Sequence, residues 1–439
     1  MMNIKIKELQ NFIKKRMAQG PIEKSNYIST ILKNKRLMNN LTLHEATENI
    51  CSEAFLSKVE RNLMDPHNER VELLCERFDL NYNELVGLES NGKVEKLLKC
   101  FFKRKFKEIL ELDNCEFEDE YIAQDEIIKA YKAFINKDYK KLQAIVFRLD
   151  TIKQCLSDME LFALILIVYE YNFINLQYDK AKEYLHVLDL FKVDDKDCNE
   201  YIEVCKFVLS AKTRSNNLTF HFNNIRDNML LYDYNANTLL TLYYFEALSN
   251  NLTISYIDGI QLNSISDSNV YNEIMYVKAK TLIELLRFDE AFELIKQYEN
   301  KDFKFVTLFA YGIVKFVGYK NSLKEPVNKL FIDTDEFKKL KSELLKYIKD
   351  IKQEEGDIYN VAFLRLMQYE LDQCEDEVIA NYIKNYLLKE LNEFSYPIYN
   401  EYIIDRYCEL LGKLCRYKDA YNLLLKVRND EKNKMKYNI

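Results

Sequence analysis

Residues 41–62 read LTLHEATENICSEAFLSKVERN, and the spacing of their apolar side chains decides the fold around them. Ala46 and Ile50 stand four apart and Leu56 and Val59 three apart, the intervals at which side chains share one face of an α-helix. Thr42 and Ser52 precede these sets, and the hydroxyl of either residue type can accept from the free amides of a first helical turn. Two short helices are therefore predicted, 42–49 and 52–61, joined by a sharp turn at Asn49. Such a turn needs a left-handed backbone, which Asn tolerates nearly as well as Gly. The second helix buries Leu56 and Val59 and turns Glu53, Ala54, Phe55 and Lys58 outward.

Outward from this pair, apolar spacing predicts helices over 25–38, 68–79 and 82–87, which makes a block of five. Ahead of it, Ile6, Leu9, Ile13 and Met17 fall at helical intervals over 4–17, and Gly20-Pro21 ends that helix. Behind it, residues 91–111 (NGKVEKLLKCFFKRKFKEILE) read as one longer basic helix. From about residue 120 a pattern recurs: a helix, a short turn, an aromatic, two polar residues, a small residue and a second helix. Its best copies are NLQYDKAKEYLHVL (175–188), LLRFDEAFELIKQY (285–298) and LCRYKDAYNLLLKV (414–427), with NKDYKKLQAIVFRL (136–149) a weaker one. Ala181, Ala291 and Ala420 are equivalent in this scheme, small where the second helix must approach the first. The intervals suit units of about 40 residues, which bury their faces only by stacking on neighbours.

Composition agrees with helices. Gly and Pro number 8 and 4 in 439 residues, too few for the turns of β folds or for phosphate loops. No apolar run approaches the roughly 20 residues of a membrane span. The opening MMNIKIK has no apolar core run and no small-residue cleavage site, so no signal peptide is expected and the chain is read as cytoplasmic. The ten cysteines include no C-x-x-C pair, and with four histidines they predict reduced, buried thiols, with no metal and no cofactor. No nucleophile–base pair or metalloprotease motif is present, so no enzymatic activity is expected. The net charge is −7, yet residues 1–36 carry nine Lys or Arg against Glu8 and Glu23. A basic end on an acidic body suits contact with phosphates at that end.

LSKVERN at 56–62 resembles the signature of Xre/Cro-type helix-turn-helix domains, and PHNERVELLCERFDLNYNELVG at 66–87 resembles their last two helices, with Pro66, Leu73, Leu74, Leu80 and Leu85 where the pattern expects them. ICS at 50–52 together with the long repeat tail resembles the RNPP regulators of Firmicutes (the Rgg, NprR, PlcR and PrgX type). The resemblance implies an all-α chain: a five-helix Xre-type helix-turn-helix domain followed by a tetratricopeptide-like right-handed α-solenoid. Its divisions are a basic extension (1–24), the DNA-binding domain (25–88), a linker helix (89–112) and a repeat domain for sensing and dimerisation (113–439). It implies a homodimeric transcription regulator of double-stranded DNA, controlled by a short signalling peptide. A repeat scaffold that sequesters a partner protein is the alternative.

A recognition helix reads bases with its N-terminal residues. Ser52, Glu53, Ala54, Phe55 and Lys58 are thus expected at the duplex, with Arg61, Asn62, Thr42, His44 and Arg36 placed for phosphates. Glu60 looks like the family's structural carboxylate, which pairs within the domain. Peptide-gripping candidates are Tyr171, Asn172, Asn175, Asn237 and Asn272, because an amide side chain both donates and accepts. Tyr243, Tyr244 and Phe245 read as core. Two segments stay open. Residues 1–17 are a phosphate-binding arm or a packed extra helix. The basic stretch 93–107 lines DNA or is a linker packing in the dimer through Val94, Leu97, Leu98 and Phe101.

Overall fold

The computed structural model describes residues 5–19, 27–61, 63–64, 69–86, 92–112, 123–191, 193–215, 217–226, 234–298, 302–323, 331–351, 358–388 and 397–436, and among them no strand occurs. The chain forms two units, Met1–Phe173 with Lys180–Cys205, and Ile174–Asp179 with Lys206–Ile439. The boundaries expected near 24, 88 and 112 all lie inside the first of these.

The first unit opens with α1 (Ile6–Gln19), α2 (Tyr27–Met38), α3 (Leu43–Thr47), α4 (Glu53–Glu60), α5 (Glu69–Arg77) and α6 (Tyr82–Val86). Each matches a predicted helix to within about two residues, the usual fraying of a helix end. Helices α2 to α6 share one apolar cluster, in which Leu32, Ala46, Leu56, Val59, Val71 and Leu74 are wholly buried. Leu73, one of the positions that carry the resemblance, is 46% exposed, because α5 turns Val71, Leu74 and Cys75 to the core. Helix α1 is packed rather than free. Leu9 and Ile13 are buried, and Arg16 donates to Asp158 Oδ1 (3.1 Å) and to the carbonyl of Leu156.

The single helix expected over 91–111 is two, α7 (Lys93–Phe102) and α8 (Phe106–Leu110). Arg104 breaks it at φ 56°, with its amide bonded to the Phe101 carbonyl and that of Lys105 reaching back 2.9 Å to Cys100. This paired closure is the Schellman ending of a helix, here without the usual glycine. Nor do Val94, Leu97, Leu98 and Phe101 wait for a partner subunit. All are buried within this chain, where α7 and α8 lie against α9 (Ala123–Ile135) and Phe102 stacks on Tyr201 at 4.3 Å. The unit continues with α10 (Tyr139–Thr151), α11 (Asp158–Ile174), α12 (Tyr178–Leu190) and α13 (Lys196–Lys212), the last two running into the second unit.

The second unit adds α14 (Leu218–Arg226), α15 (Tyr234–Leu248), α16 (Asn250–Asp258), α17 (Ser268–Glu284), α18 (Phe288–Gln297), α19 (Phe303–Ser322), α20 (Asp335–Asp350) and α21 (Ile358–Leu371). It ends with α22 (Asp376–Tyr382), drawn out by a π turn over Ile383–Leu387, then α23 (Pro397–Lys413) and α24 (Tyr417–Lys436). From α15 to α19 each helix packs on the next, and α15, α17, α19 and α21 also adjoin in turn as a layer of their own. The aromatics singled out in the sequence, Tyr139, Tyr178, Phe288 and Tyr417, each begin a second helix. Each follows by two a residue in the left-handed region: Lys137, Leu176, Leu286 and Cys415. Phe106 after Arg104 follows the same rule, so the hairpin pattern starts earlier than the sequence suggests. Ala181 and Ala291 are fully buried at the helix contacts, and Ala420 packs partly against the core.

Candidate functional site

Helices α3 and α4 carry the first group of candidate residues. Thr42 accepts from the Glu45 amide (3.2 Å) while its own amide donates to Glu45 Oε2 (2.7 Å), a reciprocal capping box. The Thr42 amide, together with the Thr42 hydroxyl donating to the same Oε2 at 2.8 Å, holds the Glu45 carboxyl below its usual range. Asn49 adopts φ 64°, the left-handed turn its residue type allows. Ser52 then caps α4 by accepting from the Phe55 amide at 3.2 Å. Both caps are side chains that the sequence placed one residue ahead of their helices.

The outward face of α4 holds Ser52, Glu53, Ala54 and Lys58, all exposed, with Ser57 half-exposed between them. Ser57 was missed because a Ser within an apolar-spaced helix carries no signal of its own. Glu53 lies 3.0 Å from Nδ1 of His44, so these two candidates share one surface feature across α3 and α4. Arg61 folds back to donate to the Ser57 carbonyl at 3.0 Å. Asn62 and Pro66 lie outside the described residues.

Two expected surface residues are inside. Phe55 is 8% exposed, in the shared cluster of α2 to α6, with the Arg70 guanidinium 5.6 Å over its ring. Helix α5 covers the flank of α4 that a lone helical wheel leaves open. Arg36 is not placed for phosphate either. It grips Glu60 with two bonds (2.5 and 2.7 Å) and donates to the Leu41 carbonyl. The Glu60 hydrogen bond, outweighing burial, raises the Arg36 pKa further. Glu60 thus pairs inside its own block, and its carbonyl accepts from the Cys155 thiol at 2.6 Å. Burial pushes that thiol up to about 12, which keeps it protonated as a donor.

The peptide-gripping candidates are divided between the two units. Tyr171 is buried edge-on to Tyr139 and accepts from Gln143 (3.3 Å). Asn172, fully buried, donates to the Val168 carbonyl of its own helix (2.7 Å). Both are therefore structural, and both belong to the first unit. Asn175 is buried in the second unit, where Asn237 on α15 and Asn272 on α17 are half-buried. Tyr244 stacks on Phe222 at 4.0 Å and Phe245 tilts on Tyr256, as core aromatics do. The Tyr243 ring instead receives the Lys212 ammonium at 3.9 Å.

That ammonium opens a charge network in the second unit. Lys212 bridges Glu246 (3.4 Å) and Glu273 (3.1 Å), Lys280 bonds Glu246, and Lys304 bonds Glu273 (2.6 Å) above the ring of Tyr276. Burial alone would raise Glu246, but Lys212 and Lys280 outweigh it and hold the carboxyl down to about 2. Glu273 is lowered in the same way by Lys304 and Lys212. Burial lowers Lys280 despite Glu246. Three ammoniums face two carboxylates along α13, α15, α17 and α19. Glu246 in LYYFEAL and Lys280 in VKAKTLI were the available signals, charges set inside apolar runs.

The described cysteines form no disulfide, and Cys415 is exposed whereas Cys51, Cys374 and Cys408 are half-buried, so burial is not general; Cys115 lies outside the described residues. No helix among the described residues is long and apolar enough to cross a membrane. Comparison with protein-family models, curated proteins and solved structures found no match to the chain.

Proposed function

We propose that the chain is a sequence-specific DNA-binding transcription regulator of the RNPP kind. Its α2 to α6 act as an Xre-type helix-turn-helix head, and its repeats, as a tetratricopeptide-like solenoid, answer a short signalling peptide. One observation carries the reading: α4 is capped at Ser52, aimed by the left-handed Asn49, and presents Glu53, Ala54 and Lys58 outward from its first turns. Side chains at the start of such a helix are those that reach base edges in a major groove. Glu53, steadied by His44, suits a cytosine amino group, and Lys58 a guanine edge or a phosphate.

The charge network supports the sensing half. Lys212, Lys280 and Lys304 gather there from α13, α17 and α19, and clustered ammoniums suit a peptide carboxylate as partner. A homodimer is supported by α24, where Tyr417, Tyr421 and Leu424 are 66%, 62% and 48% exposed in a stripe at helical spacing. Exposed apolar side chains grouped in this way mark protein contacts.

The test selects duplexes from a random pool with the full chain, then footprints the enriched site. Lys58→Ala is expected to weaken specific binding about tenfold, within the range of one base contact. An unchanged footprint and affinity at moderate salt would remove α4 from the groove and the regulator reading with it.

A further inference from the structure

Residues 93–107 carry seven Lys or Arg and one acid, Glu95, whereas residues 25–88 carry seven Lys or Arg against ten acids. A head with more carboxylates than ammoniums gains little electrostatic attraction to a duplex, so phosphate contacts from outside it would add most of that term. The α7–α8 hairpin meets that need in its geometry. Its apolar side chains Val94, Leu97, Leu98, Phe101, Phe102 and Ile109 are buried, and Phe106 is half-buried. Lys96, Lys99 and Lys103 follow at i, i+3 and i+7 on the opposite, exposed face, and the turn adds exposed Lys105 and Lys107. Lys96, Lys99, Lys103 and Lys105 line an open cleft of about 340 Å³, together with Gly92, Cys100, Glu95 and Glu108.

The acids near this face leave it positive. Lys105 pairs with Glu108 at 2.6 Å, and Lys99 stands 3.9 Å from Asp197 with both side chains at least half exposed. Exposed pairs of this kind are weak and yield to a stronger anion. Helix α7 is ten residues long, a rise of about 15 Å, and the same length of duplex carries about nine negative charges.

We propose that the α7–α8 hairpin is a second, sequence-independent DNA contact that holds the phosphodiester backbone while α4 reads the bases. The inference rests on the DNA-binding reading but uses different residues, so the two can fail separately. Because Lys96, Lys99 and Lys103 have exposed side chains and no core role, replacing them leaves the fold intact.

The experiment measures binding of the full chain to a mixed-sequence duplex of about 40 base pairs over a range of salt, for wild type, Lys58→Ala and the triple variant Lys96→Gln, Lys99→Gln, Lys103→Gln. Each phosphate contact contributes about 0.9 to the slope of log K against log salt. The triple variant is expected to lower that slope by two to three, with an unchanged melting temperature. A triple-variant slope equal to wild type, with Lys58→Ala lowering it, overturns the hairpin contact and leaves the head reading standing. A lowered slope in the triple variant, with none in Lys58→Ala, upholds the hairpin contact and assigns α4 no phosphate, its base contacts being judged on the selected site. Absence of duplex binding by wild type at low salt overturns both.

Discussion

Arg36 and Glu60 stand 24 positions apart; the sequence put Arg36 near phosphates, and the family resemblance marked Glu60 as a carboxylate that pairs within its domain without naming its partner. Their bidentate pair is buried, so removing one partner strands the other. Arg36→Ala is expected to cost about 3–5 kcal/mol in chemical denaturation. Arg36→Lys should restore little of it, because one ammonium cannot serve both Glu60 oxygens and the Leu41 carbonyl as a planar fork does. Recovery of most of the loss by Lys would refute the fork argument. Asn49 was legible because its residue type announces a left-handed turn. Phe55 was not, since its burial depends on Arg70 and α5, which no local spacing encodes.

Element boundaries followed from caps and apolar intervals, which are local properties. The turn at Arg104 did not. Arg104, Leu286 and Cys415 occupy the left-handed region although their types disfavour it, so the break inside 91–111 left no trace in the sequence. At Leu286, half exposed, the amide of the next residue closes the helix by bonding the Leu282 carbonyl at 2.9 Å. The turn geometry is thus set by backbone, not by the side chain. Leu286→Gly is expected to stabilise the chain by about 1 kcal/mol, by relieving the clash of Cβ with the carbonyl. A lowered melting temperature would mean that the leucine's packing outweighs its strain.

For the molecule as a whole, two carboxylates make the two units respond oppositely to acid. In the first unit Glu170 accepts from the Tyr201 hydroxyl at 2.9 Å, and burial raises it to about 7 against the helping Tyr201 and Arg104. The folded unit therefore holds a proton that the unfolded chain releases near 4.5, and its stability falls as pH rises through that interval. In the second unit Glu246, at about 2, contributes stability that is complete above about 4.5 and lost as pH drops towards 2. Moving from pH 8 to pH 5 should raise the melting transition of the first unit and leave the second unchanged. Glu170→Gln should flatten the first response, and a pH-independent first transition in wild type would count against the buried carboxylate. None of this was readable beforehand, because both shifts arise from residues brought together over tens of positions. The link from the Cys155 thiol to the Glu60 carbonyl carries a practical lesson for chimaeras. A transplant of 25–88 alone would leave behind the thiol that caps the last turn of α4, so a graft that keeps this contact must take the chain through at least Cys155.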